Sequence, residues 1–126
     1  MHAKLVVLVV MCFTLNAVGG MGQLPVEASI VIESEVQNHL LKANVKNIGS
    51  NALTLRYIFV VTKNGVAGTS KTTQKGTFTV LEKNISSLSE SRINLRKGDK
   101  LMAKLLIYQD NMIVAQDSVV FHGDNY

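Results

Sequence analysis

Tryptophan is absent from these 126 residues, and cysteine and proline occur once each, at Cys12 and Pro25. A single cysteine excludes an intrachain disulfide and any thiolate-rich metal site. The scarcity of proline and the 47% hydrophobic content exclude a proline-rich or disordered chain. Aromatic side chains make up only 6% of the chain, so a packed interior must rest on valine, leucine and isoleucine. No segment beyond residue 20 carries apolar residues at i, i+3, i+4 and i+7 for three turns, which argues against a helical bundle.

The longest apolar run lies at the start. Met1-His-Ala-Lys4 is a short basic head, Leu5 to Leu15 is apolar except for Thr14, and Asn16-Ala-Val-Gly-Gly20 offers small residues. This is the layout of a cleaved secretory signal over residues 1–20. The run falls short of the roughly 20 apolar residues that span a bilayer, so no stable membrane association is expected after cleavage. Cys12 sits within the run, too early for a lipid-attachment cysteine, and leaves with it. The remaining chain then enters an oxidising compartment without a thiol and must hold by packing alone. One domain over residues 26–122 suits that length.

Charge is modest. The whole chain carries +4, and loss of Lys4 leaves twelve basic groups against nine acidic ones, a balance of +3. That allows weak attraction to acidic partners but is too little for a nucleic-acid footprint.

Alternation with a period of two recurs along the rest. Val26 to Glu33 places Ala28, Ile30 and Ile32 on one face. Gln37-Asn-His39 reads as a turn. Leu41, Ala43 and Val45 then alternate with Lys42, Asn44 and Lys46. Leu53 to Thr62 forms a long strand with Leu53, Leu55, Tyr57, Phe59 and Val61 inward and Arg56, Ile58 and Val60 outward, because a slip of one would bury Arg56. Asn64-Gly65 is read as the following turn, since this pair tolerates positive φ. Thr69 to Gln74 has no large apolar side chain and reads as a polar edge, with a separate strand from about Lys75 to Val80. Ile85–Leu88 and Ile93–Leu95 supply anchors of a short extended segment. Leu101 to Tyr108 and Met112 to Phe121 flank a tight turn at Asp110-Asn111, and the tail from His122 is read as frayed. Short strands at regular spacing predict an all-β sandwich of about seven antiparallel strands.

No chemistry-bearing constellation emerges. His39 and His122 are read as scattered, exposed histidines with no ligand partners, so no metal is expected. No Gly-x-Ser-x-Gly elbow surrounds any serine, and Gly65-Val-Ala-Gly68 precedes no helix that could hold a phosphate. Neither an enzyme nor a cofactor is expected. The basic groups remain: Lys42 and Lys46 on one strand face, Arg56 and Lys104 pointing outward, and Lys63, Lys71 and Lys75 beside the polar edge. They are either a solvated surface with lysines guarding an edge or a face for an acidic or polar partner.

The order of motifs resembles the curli assembly inhibitor family, the CsgH and CsgC group. Leu53-Thr-Leu-Arg56 falls where part of that family has Cys-x-Cys-Arg. Gly65-x-x-Gly68, the Ser/Thr/Gln-rich stretch to Val80, Ile93-Asn-Leu95, Gly98-Asp-Lys100, Leu101 to Tyr108 and Val114-Ala-x-Asp117 follow in the same order. The resemblance implies an immunoglobulin-like β-sandwich, located in the periplasm or secreted. It also implies a monomeric, chaperone-like inhibitor that keeps a curli-type amyloid subunit from assembling early. Leu53 and Leu55 stand in place of the two cysteines, so no redox role is implied. Arg56 keeps the family's arginine, while Lys42, Lys46 and Lys104 are client-binding candidates from strand register. Two other classes stay open: a structural or adhesive subunit of a surface fibre, and an accessory domain binding another ligand.

Overall fold

The computed structural model describes the backbone of Val6–Val9 and residues 24–123, position 36 excepted. Strands β1 (Val6–Val9), β2 (Val26–Glu35), β3 (Asn38–Asn47), β4 (Leu53–Gly65), β5 (Gly68–Val80), β6 (Ile85–Asn94), β7 (Lys100–Gln109) and β8 (Met112–His122) make up the fold, with no helix among the described residues. Two four-stranded sheets form, in the orders β1-β2-β3-β6 and β5-β4-β7-β8, with every described pairing antiparallel. Apart from β1, seven strands divide three and four with crossings between the sheets after β3, β5 and β6. This is an immunoglobulin-like sandwich. The expected signal segment lies outside the described residues except for β1, which runs antiparallel to β2 from Ser34 to Val31.

The core is where the period-two pattern puts it. Ala28, Ile30 and Ile32 of β2 and Leu41, Ala43 and Val45 of β3 are fully buried. They face Leu55, Phe59 and Val61 of β4 and Leu101, Ala103, Leu105 and Ile107 of β7. Phe59, at 1% exposure, is the largest of the fully buried side chains. Leu55 is as deeply buried, so the position after Thr54 serves packing. Tyr57 is only half-buried and meets Phe78 edge to face, ring centroids 6.1 Å apart.

Several buried polar groups tie the sheets, and local pattern did not reveal them. Asn47 is completely buried; its Nδ2 donates to Asn51 O and Val80 O, and its Oδ1 accepts from Gly49 N. One amide thus joins the β3–β4 loop to the end of β5. His39 does not lie exposed in a turn. It is the second residue of β3, 1% exposed, with Nδ1 2.7 Å from Ser34 Oγ and its ring edge-on to Phe121 at 4.8 Å. Burial lowers its pKa, whereas His122 stays on the surface as expected. Asp117 of β8 reaches across to β2, its Oδ2 accepting from Ile30 N at 2.8 Å and its Oδ1 from Ser118 N at 2.9 Å. Desolvation outweighs those two hydrogen bonds and pushes its pKa up to about 6.

Four boundaries differ from the sequence reading. β4 continues through Asn64 and Gly65, and the positive φ of the hairpin, 124°, belongs to Gly68. The polar edge over Thr69–Gln74 does lie at the edge of its sheet, but it is continuous with the strand after it: β5 is one strand of 13 residues. The hydrogen-bond ladder with β4 holds it extended where its own side chains have nothing to bury. β6 is likewise continuous over 10 residues, with a bulge opposite Ala43/Asn44 that hides its alternation. At the C-terminal end the chain is tied down as far as Gly123, whose N–H donates to Asp99 O at 2.9 Å.

Two predictions follow from these contacts. A Cβ at Gly65 would collide with Asp99 Oδ1, and Asp99 is held by accepting the Arg96 N–H. Gly65→Ala should therefore cost about 1–3 kcal/mol in chemical denaturation, and an unchanged midpoint would show that Asp99 swings aside freely. The second concerns pH. Asp117, raised from 3.8 to about 6, contributes stability that is complete below its unfolded value and lost as pH rises through about 6. That shift corresponds to about 3 kcal/mol between protonation states. His39, lowered from 6.5, acts in the opposite direction: its contribution is present above 6.5 and lost as pH falls through its folded value. Asp117→Asn should remove only the Asp117 contribution, so thermal melts at pH 7.5 and 4.5 should show the variant losing more stability on acidification than the parent. Matching pH profiles would refute this account of Asp117.

Candidate functional site

Burying Leu55, Phe59 and Val61 forces the intervening residues of β4 onto the outer face of its sheet. The ladders then place these residues in rows across β5, β4, β7 and β8. One row holds Thr77, Arg56, Tyr108 and Ile113; the next holds Lys75, Ile58, Leu106 and Gln116. Then come Thr73, Val60, Lys104 and Ser118; Lys71, Thr62, Met102 and Val120; and Thr69, Asn64, Lys100 and His122. Each row carries one lysine or arginine and none carries a carboxylate. Rows lie about 7 Å apart along a strand and strands about 5 Å apart. Neighbouring charges therefore lie roughly 9–14 Å apart along the backbone, one to two screening lengths in physiological salt, where that length is about 8 Å. Between them runs an apolar strip of Ile58, Val60, Leu106, Met102 and Val120, the last two 42% and 54% exposed.

The opposite outer face differs. Glu27 stands opposite Lys46 in the β2–β3 ladder, and Glu90 opposite Lys42 in the β3–β6 ladder. Lys42 Nζ also bridges Glu33 Oε2 at 2.9 Å. Cations and carboxylates alternate there, and the field largely cancels. The four candidates read from sequence are thus divided. Arg56 and Lys104 lie on the uncompensated face, while Lys42 and Lys46 lie on the balanced one. Lys63, read as bordering the polar edge, points the other way, donating to Asn94 O of the facing sheet at 3.2 Å. Lys100 was missed because its place in a charged turn gave no hint of which face it would join.

Arg56 has a structural task as well. Its Nη2 donates to Asp110 O, and its guanidinium lies over the Tyr108 ring, 5.3 Å from the centroid. Asp110 has positive φ in the β7–β8 turn, and the arginine helps hold it there. Beside Lys104, a shallow depression is lined by Gln116, Asp117 and Ser118. The Asp117 carboxylate at its floor is engaged by the Ile30 and Ser118 backbone N–H groups.

The fold and the charged face define a class: a small immunoglobulin-like sandwich with one cationic sheet surface. Among solved structures, the chain is similar to the solution structure of R. palustris CsgH, with a TM-score of 0.58 and 16% identity. That match covers 79% of this chain and 93% of CsgH. It is also similar to the E. coli curli protein CsgC, with a TM-score of 0.62 and 12% identity over 72% of this chain and 94% of CsgC. The chain therefore has a CsgH/CsgC-like fold, as the motif order implied. Comparisons with known protein families and with curated protein sequences find no match.

Removing the Arg56 side chain should loosen the β7–β8 hairpin. Arg56→Ala is expected to lower stability by about 1 kcal/mol and to speed amide exchange around Asp110. Arg56→Lys, which cannot match the planar stacking on Tyr108, should recover only part of this. Full stability in Arg56→Ala would mean that the arginine is free for other partners.

Proposed function

We propose that the protein is a periplasmic, chaperone-like inhibitor that delays amyloid assembly of a curli-type subunit through weak electrostatic contacts. The observation that carries this reading is the outer face of the β5-β4-β7-β8 sheet, with five basic side chains in successive rows, no carboxylate among them and an apolar strip between. The CsgH- and CsgC-like fold supports a curli-related client. The protein acts by binding, as a monomer, with no enzyme chemistry and no cofactor. Amyloid subunits present polar strands whose edges template growth. A cationic sheet beside such strands forms charge-assisted hydrogen bonds to their carboxylates and amides, and these weaken as salt rises. Arg56 and Lys104 act here together with Lys71, Lys75 and Lys100. Lys42 and Lys46, matched by carboxylates, contribute little.

The test is the lag time of curli subunit fibrillation followed by thioflavin T. The parent protein should lengthen the lag at substoichiometric ratios, and about 0.5 M salt, where the screening length is only a few ångströms, should erase most of that effect. Lys75→Glu with Lys104→Glu should abolish the delay, whereas Lys42→Glu with Lys46→Glu should leave it nearly intact. A parent protein that never alters the lag would end the inhibitor reading.

A further inference from the structure

The strand at the margin of that cationic face has backbone groups that no described residue uses. β5 pairs with β4 alone, and its other side is the edge of the sheet. The hairpin loop is Val66-Ala67, with Gly65 opposite Gly68. In a two-residue loop the flanking pair exchanges both hydrogen bonds, so even-numbered residues from Gly68 onward turn their N–H and C=O groups towards β4. Thr69, Lys71, Thr73, Lys75, Thr77 and Thr79 therefore direct theirs to the open side. Every residue from Gly68 to Thr73 is exposed, so neither face of this stretch is covered. It contains no proline, and the ladder with β4 runs its whole length without a bulge. A long, regular, uncovered edge invites strand addition.

We propose that the free edge of β5 is a strand-docking site for an extended polar segment of the client. That segment would carry carboxylate or amide side chains four residues apart, opposite Lys71 and Lys75. This rests on the client reading above and names the segment and the edge it takes. Charge selects the occupant. A second copy pairing antiparallel about Thr73 would set Lys71 against Lys75 twice, and like charges directly opposite destabilise a ladder. A strand with Asp, Glu, Asn or Gln at those positions meets the lysines favourably in either direction. The side chains of Lys71 and Lys75 share the outer face with Arg56 and Lys104, so the docked strand extends the cationic sheet by one member. Its own outer edge then presents the client's sequence on a twisted sandwich margin, where fibril stacking cannot continue.

Amide hydrogen exchange of the whole protein, read residue by residue, tests the site without fibrils. The probes are two soluble 11-residue threonine- and glutamine-rich peptides, designed with about the length of β5's exposed edge. One carries Glu at two positions four apart and the other carries Lys there. With the first at about ten times its Kd, exchange should slow about tenfold at Thr69, Lys71, Thr73 and Lys75. The intervening amides, already bonded to β4, should change little. The lysine peptide should give no protection. Thr73→Pro removes an outward N–H and none of the β4 ladder, so it should keep the circular dichroism and melting of the parent while losing the protection. Even slowing at both parities, protection by both peptides, or full protection in Thr73→Pro would overturn the proposal. So would a parent dimer that this variant dissolves. Curli lag times are read separately: a delay that survives Thr73→Pro rejects the edge and leaves the cationic face standing, and absence of any delay in the parent removes the client reading itself.

Discussion

Alternation along β4 is the constraint from which the surface follows. Once Leu55, Phe59 and Val61 are fixed in the core, at 2%, 1% and 3% exposure, the strand has no freedom over where Arg56, Ile58, Val60 and Thr62 point. β4 is the one strand of its sheet flanked by both β5 and β7, so its register fixes theirs. Through those ladders Lys71 and Lys75 on one side, and Lys100 and Lys104 on the other, come to the same face as Arg56. The cationic surface is thus the reverse side of the hydrophobic core. Disturbing Phe59 would misplace the charges as surely as it would weaken the fold.

The two sheets use similar residues to opposite electrostatic ends. The β2-β3-β6 face carries Lys42, Lys46 and Arg92, but Glu27, Glu33 and Glu90 stand among them. Half-buried pairs such as Lys42–Glu33 are worth at most about 1 kcal/mol each, and a face built from them has little pull at a distance. Among the described residues, the β5-β4-β7-β8 face has no such partners. Asp117, flanked in sequence by Gln116 and Ser118 of this face, is turned inward and committed to the backbone of Ile30. With a net charge of only +4 over the whole chain, what distinguishes this protein is where its few unmatched cations are placed.

Legibility in the sequence followed burial. The inner faces of β2, β3, β4 and β7 could be read directly, because each alternates large apolar with polar residues and is covered on one side only. From the same pattern Arg56 and Lys104 were placed outward. β5 resisted reading because an edge strand exposed on both faces has no period of its own; its conformation comes from β4 through the backbone. His39 resisted for another reason. Its burial depends on Phe121, a residue far along the chain that tertiary folding brings against it. The split of the four candidates across two faces was equally hidden, since it depends on which carboxylate each lysine meets across a ladder. No local window contains Lys42 with Glu90, or Lys46 with Glu27.

Asp117 acts where β1 leaves β2 unpaired: β1 covers β2 from Val31 to Ser34, and Ile30 lies just beyond it. The N–H of Ile30 faces away from β3, and in an open sheet it would be available to an added strand. Instead a carboxylate from β8 accepts it, at the cost of holding an acid in surroundings that raise its pKa to about 6. No comparable device covers β5 among the described residues; lysines alone guard that margin. A charge-guarded edge repels its own kind while remaining open to strands of complementary polarity. The margins of β2 and β5 therefore differ chemically as well as geometrically: the N–H beyond β1 is taken by a carboxylate, while β5 presents lysines along an unpaired edge.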